Sequence, residues 1–312
     1  MMNSLPDVPQ FDPSAGTVIR HPPGKGYGYW AGGAKVSFDP ASGTFALFYR
    51  EREPLERGRG GRCLVAISND GVAFDDVWEA TKAELASSSV EVGHVVRHDA
   101  SEWRLYLSYE REVQRTWRID VLRAASPGDF DAQHRRTVLE PGHFGLPWIK
   151  DPWVNRSADG GYRLYCAVPS RREPNVEGNV VWARPEDATV LAESADGLYF
   201  PSIEYVYEPP GDDSWHGHRG RVDARFPYRG SWLATFSGGR TMYDQYEERC
   251  GLMASPDERS FVVLDTGGPW LESPHGCVRY VHVIEVGGRL FFYYEYTRAD
   301  GAHDLRVSIV DG

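Results

Sequence analysis

Cysteine is scarce in this sequence, with four residues among 312: Cys63, Cys166, Cys250 and Cys277. They are far apart, and the first three lie within apolar runs. This pattern is typical of buried thiols rather than of a disulfide framework or a zinc site. No apolar run reaches the ~18 residues of a membrane span, and residues 1–16 lack the basic and apolar parts of a secretion signal. We therefore expect a cytoplasmic protein with no membrane partner.

Basic charge is also in short supply. Lys and Arg number 34 against 45 Asp and Glu, which gives a formal net charge of -11. Nucleic-acid binding normally requires a basic surface, so we expect no nucleic-acid partner. Long helical periodicity is missing too. What the chain does have is 33 Gly, 21 Pro and 13% aromatic residues, which favours many short strands joined by tight turns.

A repeated element organises these strands. It is a strand that runs into a Ser/Asp/Gly turn and, in the complete copies, a Phe. Its copies occupy residues 62–74, 119–130, 190–200, 249–261 and, cut short by the end of the chain, 305–312. Before each copy stands a pair of apolar strands joined by a short turn, at 34–49, 90–109, 152–167, 222–236 and 278–294. Four antiparallel strands in every 60 or so residues are what one propeller blade requires.

The sequence thus predicts an all-β fold, a five-bladed β-propeller made of one domain, 1–312. The blades are expected at about 31–85, 88–140, 149–209, 220–272 and 277–310. The last blade lacks its fourth strand, and the spare strand at 17–21 is predicted to complete it. Such closure removes exposed sheet edges. A β-sandwich explains neither five copies nor the missing strand.

Chemistry is expected where the first strands of the blades begin, because these strands line the central channel. Glu91, Asp151 and Asp223 stand at matching positions in three successive blades and are the candidate catalytic residues. Acids that share one funnel repel each other, which separates their pKa values as acid–base catalysis requires. The alternative is that they bind nearby arginines and only hold the channel together.

Other side chains on the same face are candidate ligand contacts. Arg50 and Arg52 directly follow an aromatic strand and suit sugar hydroxyls or an anionic substituent. The remaining candidates are Trp30, Glu110, His143, Trp215, His218, Arg240, His275, Tyr280 and Glu295. For each of these residues, the alternative to ligand contact is that the side chain belongs to a solvated rim or to ordinary core packing. The pair His216 and His218 lacks a fixed third ligand, so we predict no metal site and no cofactor, although a structural calcium ion on the axis stays open.

At this point the pattern resembles the five-bladed propeller glycosidases of glycoside hydrolase families 43, 62, 32 and 68. The sharpest local match is Lys150-Asp151-Pro152, which is similar to the Asp-Pro signature of those families. The resemblance implies a small carbohydrate ligand, and it implies that Asp151 stabilises the transition state or tunes the acid. The sequence departs from the pattern twice: the run from Trp30 to Gly33 carries no carboxylate, and the fourth blade offers Asp223 instead of a Glu.

Two functions follow. The first is a glycosidase-like enzyme acting on a small glycoside or oligosaccharide, with Asp223 as general acid, Glu91 as base or nucleophile and Asp151 as modulator. The second is a non-hydrolytic propeller, either a carbohydrate-binding protein or a lyase, epimerase or cyclase that uses the same funnel. The missing acid in the first blade favours the second, as does the missing secretion signal.

Overall fold

The computed structural model describes residues 7–312 apart from 158, 174–175, 178–179 and 182–185. Within these ranges all regular structure is β-strand, apart from four short 3-10 helices at Pro13–Ala15, Leu55–Arg57, Pro141–Phe144 and Met242–Tyr246. The all-β prediction is confirmed. None of the helices in the described ranges has the length and apolar character to span a membrane.

The strands pair in antiparallel groups that follow the chain. After β1 (Thr17–Arg20), the first group is β2 (Trp30–Asp39), β3 (Thr44–Arg52), β4 (Arg62–Ser68) and β5 (Asp75–Thr81). The second group is β6 (Ser87–Asp99), β7 (Glu102–Arg111), β8 (Trp117–Ala124) and β9 (Arg135–Leu139). In both groups each strand pairs with the next one along the chain.

The third group contains an insertion. It comprises β10 (Lys150–Arg156) and β11 (Tyr162–Pro169), a separate hairpin of β12 (Val176–Glu177) and β13 (Val180–Val181), then β14 (Asp187–Ser194) and β15 (Ile203–Tyr207). The fourth group is β16 (Arg219–Tyr228), β17 (Ser231–Gly239), β18 (Arg249–Ala254) and β19 (Val262–Val263).

The last group joins the two ends of the chain. It comprises β20 (Glu272–Ser273), β21 (Gly276–Val286), β22 (Arg289–Thr297) and β23 (His303–Asp311). Strand β1 pairs antiparallel with β23, and Thr17 lies opposite Val307. The N-terminal strand therefore stands where the repeat lacks its own fourth strand.

The repeated Ser/Asp/Gly turn has a local cause. In the first group the Ser68 hydroxyl accepts the backbone N–H of Gly71, while the Asp70 carboxylate accepts those of Val72 and Ala73. The turn after β14 repeats these bonds with Ser194, Asp196 and Gly197. Short polar side chains thus replace the missing ladder partners. The Phe that ends each complete copy is buried in the core: Phe74, Phe130, Phe200 and Phe261.

The innermost strands β2, β6, β10, β16 and β21 share one irregularity. Each one shifts register against its hairpin partner near its start, at Gly32/Lys35, Val90/Gly93, Lys150/Trp153, Val222/Ala224 and Arg279/His282. Such bulges redirect side chains. The residues of the bulges include Gly33, Glu91, Asp151, Asp223 and Tyr280, so three of them are the carboxylates singled out above.

The four cysteines are all free and buried, as expected from their apolar surroundings. Cys63 lies on β4, Cys166 on β11, Cys250 on β18 and Cys277 on β21. Burial raises the pKa of Cys63 and of Cys277 to about 12, which keeps these thiols protonated and unreactive. They act as small core residues.

Candidate active site

A small charged cavity opens where the innermost strands begin. It has a volume of about 180 Å³, and its wall consists of six cations, three carboxylates and four aromatic residues. The cations are Arg50, Arg52, Arg59, Lys150, Arg219 and Arg279; the carboxylates are Glu91, Glu186 and Glu248; the aromatic residues are Trp117, Trp148, Tyr246 and Tyr280. These residues come from all five strand groups or their connections, so distant parts of the chain converge here.

Glu91 is the most strongly contacted carboxylate of the wall. The guanidinium of Arg50 donates to its Oε2, the Nη2 of Arg52 donates to the same atom at 2.6 Å, and Arg59 lies 3.8 Å from Oε1. The Ser89 hydroxyl donates to Oε1 at 3.1 Å. Burial by itself would raise the pKa of Glu91, but Arg52 and Arg50 hold it well below the usual range. Glu91 is therefore ionised at neutral pH.

Asp151 and Asp223 lie beneath the cavity wall and do not line it. Arg221 joins them, with its Nη1 3.1 Å from Asp151 and its Nε 3.4 Å from Asp223. The hydroxyl of Ser237 donates to Asp223 at 2.5 Å. Arg221 in turn packs against the ring of Tyr280, at 4.1 Å from the ring centroid. The two aspartates thus hold the arginine that supports the cavity floor.

Backbone strain concentrates around this cavity. Asp151, Tyr280 and Arg59 are non-glycine residues with left-handed φ values of 58°, 52° and 49°. Such conformations cost roughly 1–3 kcal/mol each and persist only where the surroundings impose them. Two of the three line the cavity and the third lies directly below it. The strained residues lie at the register shifts of β10 and β21 and in the glycine-rich loop at 58–61.

The first strand group has no acidic residue at the position that matches Glu91, Asp151 and Asp223. Its Gly32 instead leaves room for a carboxylate from the last strand group. A Cβ on Gly32 would lie 2.0 Å from the Cγ of Glu295, and the N–H of Gly33 donates to Glu295 at 2.8 Å. Arg279 and His303 also contact this carboxylate, at 2.8 and 3.1 Å. Burial would raise the pKa of Glu295, but Arg279 and His303 hold it far below the usual range. Glu295 is thus a buried structural anion behind the cavity.

Trp30 lies behind the wall instead of on it. Its ring packs under Arg279, at 4.7 Å from the guanidinium carbon, and stacks on His303 at 5.1 Å. It faces a second cavity of about 190 Å³, which also contacts Arg52 and Arg59. We expected Trp30 to be a platform for a ligand. Its ring instead packs against Arg279 and supports that side chain.

Three further expected contacts are held elsewhere. Trp215 is partly buried; it stacks on Phe236 at 5.4 Å and packs against the core beside β17. Arg240 pairs with Asp213 at the surface. Glu110 is buried at the end of β7 and receives a hydrogen bond from a neighbouring serine hydroxyl. None of these three side chains lines the charged cavity, because each one packs against or binds to a nearby residue instead.

The expected histidines also lie off the wall. His143 and His275 are exposed on the connections before β10 and β21. His218 is buried and lies 3.5 Å from Glu186, so it backs the wall and does not form it. Among the described residues, no three or more His, Cys, Asp or Glu side chains are grouped so as to hold a metal ion.

Sequence reasoning missed much of the wall. Arg59, Trp117, Glu186, Arg219, Tyr246 and Glu248 had no candidate role. A signal existed for Arg219, because it stands two residues before Arg221 and therefore shares its side of β16. Trp117 is the first residue of β8, and the others lie on connections whose path only the structure defines.

A larger cavity of about 930 Å³ opens at the opposite ends of the innermost strands, among the short hairpin turns. His94 and His282 stand at its base, with their rings 5.4 Å apart. We favour the smaller cavity as the functional site, because convergent charged side chains and strained residues mark binding sites better than volume does.

No protein-family model matches the chain, and no curated protein matches it either. Solved structures do. The GH43_1 enzyme from Xanthomonas citri complexed with xylose has a TM-score of 0.65 at 12% identity, with 94% of this chain and 90% of that chain covered. CoXyl43, a GH43 β-xylosidase/α-arabinofuranosidase from a compost microbial metagenome in complex with xylotriose, has a TM-score of 0.66 at 13% identity, covering 95% and 94%. A glycosyl hydrolase from Bacteroides ovatus has 0.64 at 14%, covering 98% and 96%.

These likenesses extend over nearly the whole length of both chains. At such low identity they show the fold: the chain shares the β-propeller fold of the family 43 glycoside hydrolases. The resemblance inferred from the repeats and from Lys150-Asp151-Pro152 is thereby confirmed at the level of architecture. Function has to be argued from the site itself.

Proposed function

We propose that the protein is a glycoside hydrolase-like enzyme that binds a small carbohydrate in the charged cavity of a five-bladed propeller. Contacts between innermost strands support the ring: β2 contacts β6 and β21, β6 contacts β10, and β16 contacts β21. The remaining neighbours, β10 and β16, are joined by the ion pair of Asp151 with Arg221. The pairing of β1 with β23 supports closure by the N-terminal strand.

The observation that carries the proposal is an ionised carboxylate, Glu91, on the wall of a cavity that also presents Trp117, Trp148 and Tyr280. Aromatic faces suit sugar rings, and an ionised carboxylate is the group that acts as base or nucleophile in glycoside cleavage. The similar structures from Xanthomonas citri and the compost metagenome hold xylose and xylotriose. We assign the base or nucleophile role to Glu91.

The other two carboxylates receive different roles. Asp223 is fully buried beneath the wall, so it has no path to a leaving oxygen. We replace its sequence-based assignment as general acid with a positioning role shared with Asp151: both hold Arg221 beneath Tyr280. Asp151 keeps the modulating role that the resemblance implied, exerted through this arginine.

One observation favours a second candidate, a non-hydrolytic propeller that binds or modifies a carbohydrate. Hydrolysis needs a protonated acid near neutral pH, usually a carboxyl group with a raised pKa. The pKa of Glu91 lies well below its usual range, and contact with His218 lowers that of Glu186. These two carboxylates of the cavity wall thus favour the ionised form over the protonated form that a general acid needs.

A panel of aryl glycosides, together with binding of xylose and xylotriose by calorimetry, separates these candidates. The test variant is Glu91→Gln. Glu110→Gln is the matched control, because Glu110 is an equally buried glutamate near the same strand ends but off the wall. Turnover that Glu91→Gln abolishes and Glu110→Gln keeps supports the hydrolase. Binding without turnover supports the second candidate, and the absence of both contradicts the carbohydrate site.

A further inference from the structure

On one side of the cavity wall, the cations outnumber the carboxylates that they contact directly. Three arginines, Arg50, Arg52 and Arg59, share the single carboxylate of Glu91. Lys150 lies near the same carboxylate, whose ionised form it favours. Four cations therefore lie around Glu91, although the more distant Asp187 and Asp151 also favour the charged form of Lys150 and raise its pKa.

Lys150 is the most exceptional of these cations. Within the described parts of the chain its ammonium makes no ion pair or hydrogen bond, and its neighbours are the rings of Trp148 and Trp117, at 5.0 and 6.0 Å from their centroids. Aromatic faces attract a cation but supply no hydrogen-bond acceptor. The ammonium has three donors available, and it lies on the cavity wall.

The arginines nearby also keep donors free. The Nε of Arg52 and the Nη2 of Arg279 have no hydrogen-bond partner within the described residues, although both side chains are at least nine-tenths buried. Burial and the adjacent Arg50 lower the pKa of Arg52 in spite of Glu91. The Glu91 carboxylate therefore does not offset the combined effect of burial and Arg50 on this guanidinium. Buried donors without acceptors are costly, and these two belong to side chains that line the cavity.

The rest of the wall is balanced and does not share this surplus. Arg279 pairs with Glu248 and Glu295, at 2.6 and 2.8 Å. Arg219 pairs with Glu186 and Asp187. The cations that share one carboxylate, or have none in direct contact, therefore lie on the side where Arg52, Arg59 and Lys150 face the cavity around Glu91. A neutral sugar offers the Lys150 ammonium no charged acceptor in direct contact.

We propose that Arg52, Arg59 and Lys150 form a subsite for an anionic group on the sugar, either a uronate carboxylate or a phosphate or sulfate ester. The inference rests on the proposed function in that it takes the ligand to be a carbohydrate. Arginine forks and a lysine ammonium are the side chains that bind such oxygens through charge-assisted hydrogen bonds. The cavity admits a compact ligand, so the anion belongs to the sugar that occupies it.

Calorimetry with matched probes tests the subsite. Methyl β-D-glucuronide and methyl β-D-xyloside differ only by one carboxylate, and glucose 6-phosphate against glucose tests the phosphate form. We expect the wild type to bind one anionic probe at least about tenfold more tightly than its neutral counterpart. Lys150→Met and Arg59→Gln should each reduce that preference about tenfold, while Lys25→Met, at an exposed site away from the cavity, leaves it unchanged.

The outcomes separate this inference from the proposed function. Equal binding of charged and neutral sugars, or a preference that survives in Lys150→Met, overturns the anionic subsite and leaves the carbohydrate site standing. Inorganic phosphate or sulfate that binds to the wild type and not to Lys150→Met, with no sugar binding at all, supports the cation cluster and overturns the carbohydrate ligand. Near-ultraviolet circular dichroism of both variants establishes that the fold is retained.

Discussion

Lys35 and Asp223 meet in the interior although 188 residues separate them in the sequence. The Lys35 ammonium donates to the main-chain carbonyl of Asp223 at 2.7 Å and lies 3.6 Å from its carboxylate. Both side chains are at most 2% exposed. The contact ties β2 to β16, two innermost strands that are not neighbours in the pairing order, and it closes the floor on which the charged cavity stands.

This buried ammonium gives a pH signature. Burial lowers the pKa of Lys35 to about 8, while the unfolded chain keeps 10.5. Between these values the unfolded chain binds the extra proton, so the Lys35 contribution to the free energy of unfolding rises with pH, by about 3 kcal/mol in all. We expect the wild type to gain stability relative to Lys35→Met as the pH increases from 8 to 10.5, measured by urea unfolding.

The comparison with Lys35→Met removes the effects of tyrosines and cysteines, which titrate in the same range in both proteins. Below pH 8 the variant leaves the Asp223 carboxylate without its ammonium partner, which is strongly destabilising. A stability difference that is flat from pH 8 to 10.5 would show that burial does not lower the pKa of Lys35.

The pairing of β1 with β23 predicts a matched pair of mutational effects. Ile19 on β1 is buried against Leu305 and Val307, whereas Ile309 on β23 is 39% exposed. Ile19→Asp should lower the free energy of unfolding by about 3 kcal/mol, because it removes a buried side chain and places a charge in the core. Ile309→Asp should change it by less than about 0.5 kcal/mol.

Urea unfolding followed by tryptophan fluorescence measures both variants. Equal and small effects of the two substitutions would contradict the docking of β1 onto β23 as a part of the stable core.

The architecture was predictable from the sequence because its signals are local. A Ser/Asp/Gly turn closes through side chains two or three residues away, as Ser68 and Asp70 do, so each copy shows the motif directly. The spare strand at Thr17–Arg20 was predictable from the incomplete last repeat. Both inferences needed only the order of the elements.

A structural calcium ion on the axis was the open alternative for a cofactor, and the charge of Lys35 argues against it. A buried ammonium repels a divalent cation nearby in a low-dielectric interior. We expect that treatment with EDTA, followed by addition of CaCl2, leaves the melting temperature and the sugar affinity unchanged. A rise of several degrees on adding calcium would place a cation site in the protein.

The lowered pKa of Glu91 predicts the acid side of the pH–rate profile. Arg52 and Arg50 favour the carboxylate form, so Glu91 stays ionised well below pH 4.5. Activity that depends on Glu91 should therefore not fall through pH 5 to 4 from titration of this group. Replacing Arg52 by Gln removes part of this support and should move the acid limb toward neutral pH.

Measurement of kcat/KM from pH 3.5 to 8 in wild type and Arg52→Gln tests this prediction. Identical acid limbs in the two proteins would mean that Arg52 does not control the ionisation of Glu91.

The details of the site were beyond sequence reasoning because they depend on partners far apart in the chain. Asp151 and Asp223 matched Glu91 in their positions at strand starts, yet only Glu91 lines the cavity, because Arg221 holds both aspartates beneath the wall. The missing acid of the first group is offset by Glu295, which fills the space beside Gly32. No spacing along the sequence encodes such packing.

The most direct test of the central claim is a crystal structure of the protein soaked with methyl β-D-glucuronide and methyl β-D-xyloside. We predict sugar density in the cavity of about 180 Å³, with a ring oxygen or hydroxyl within hydrogen-bond distance of Glu91 and the carboxylate of the glucuronide on Lys150. Density confined to the larger cavity among the hairpin turns would contradict the claim that the charged cavity is the carbohydrate site.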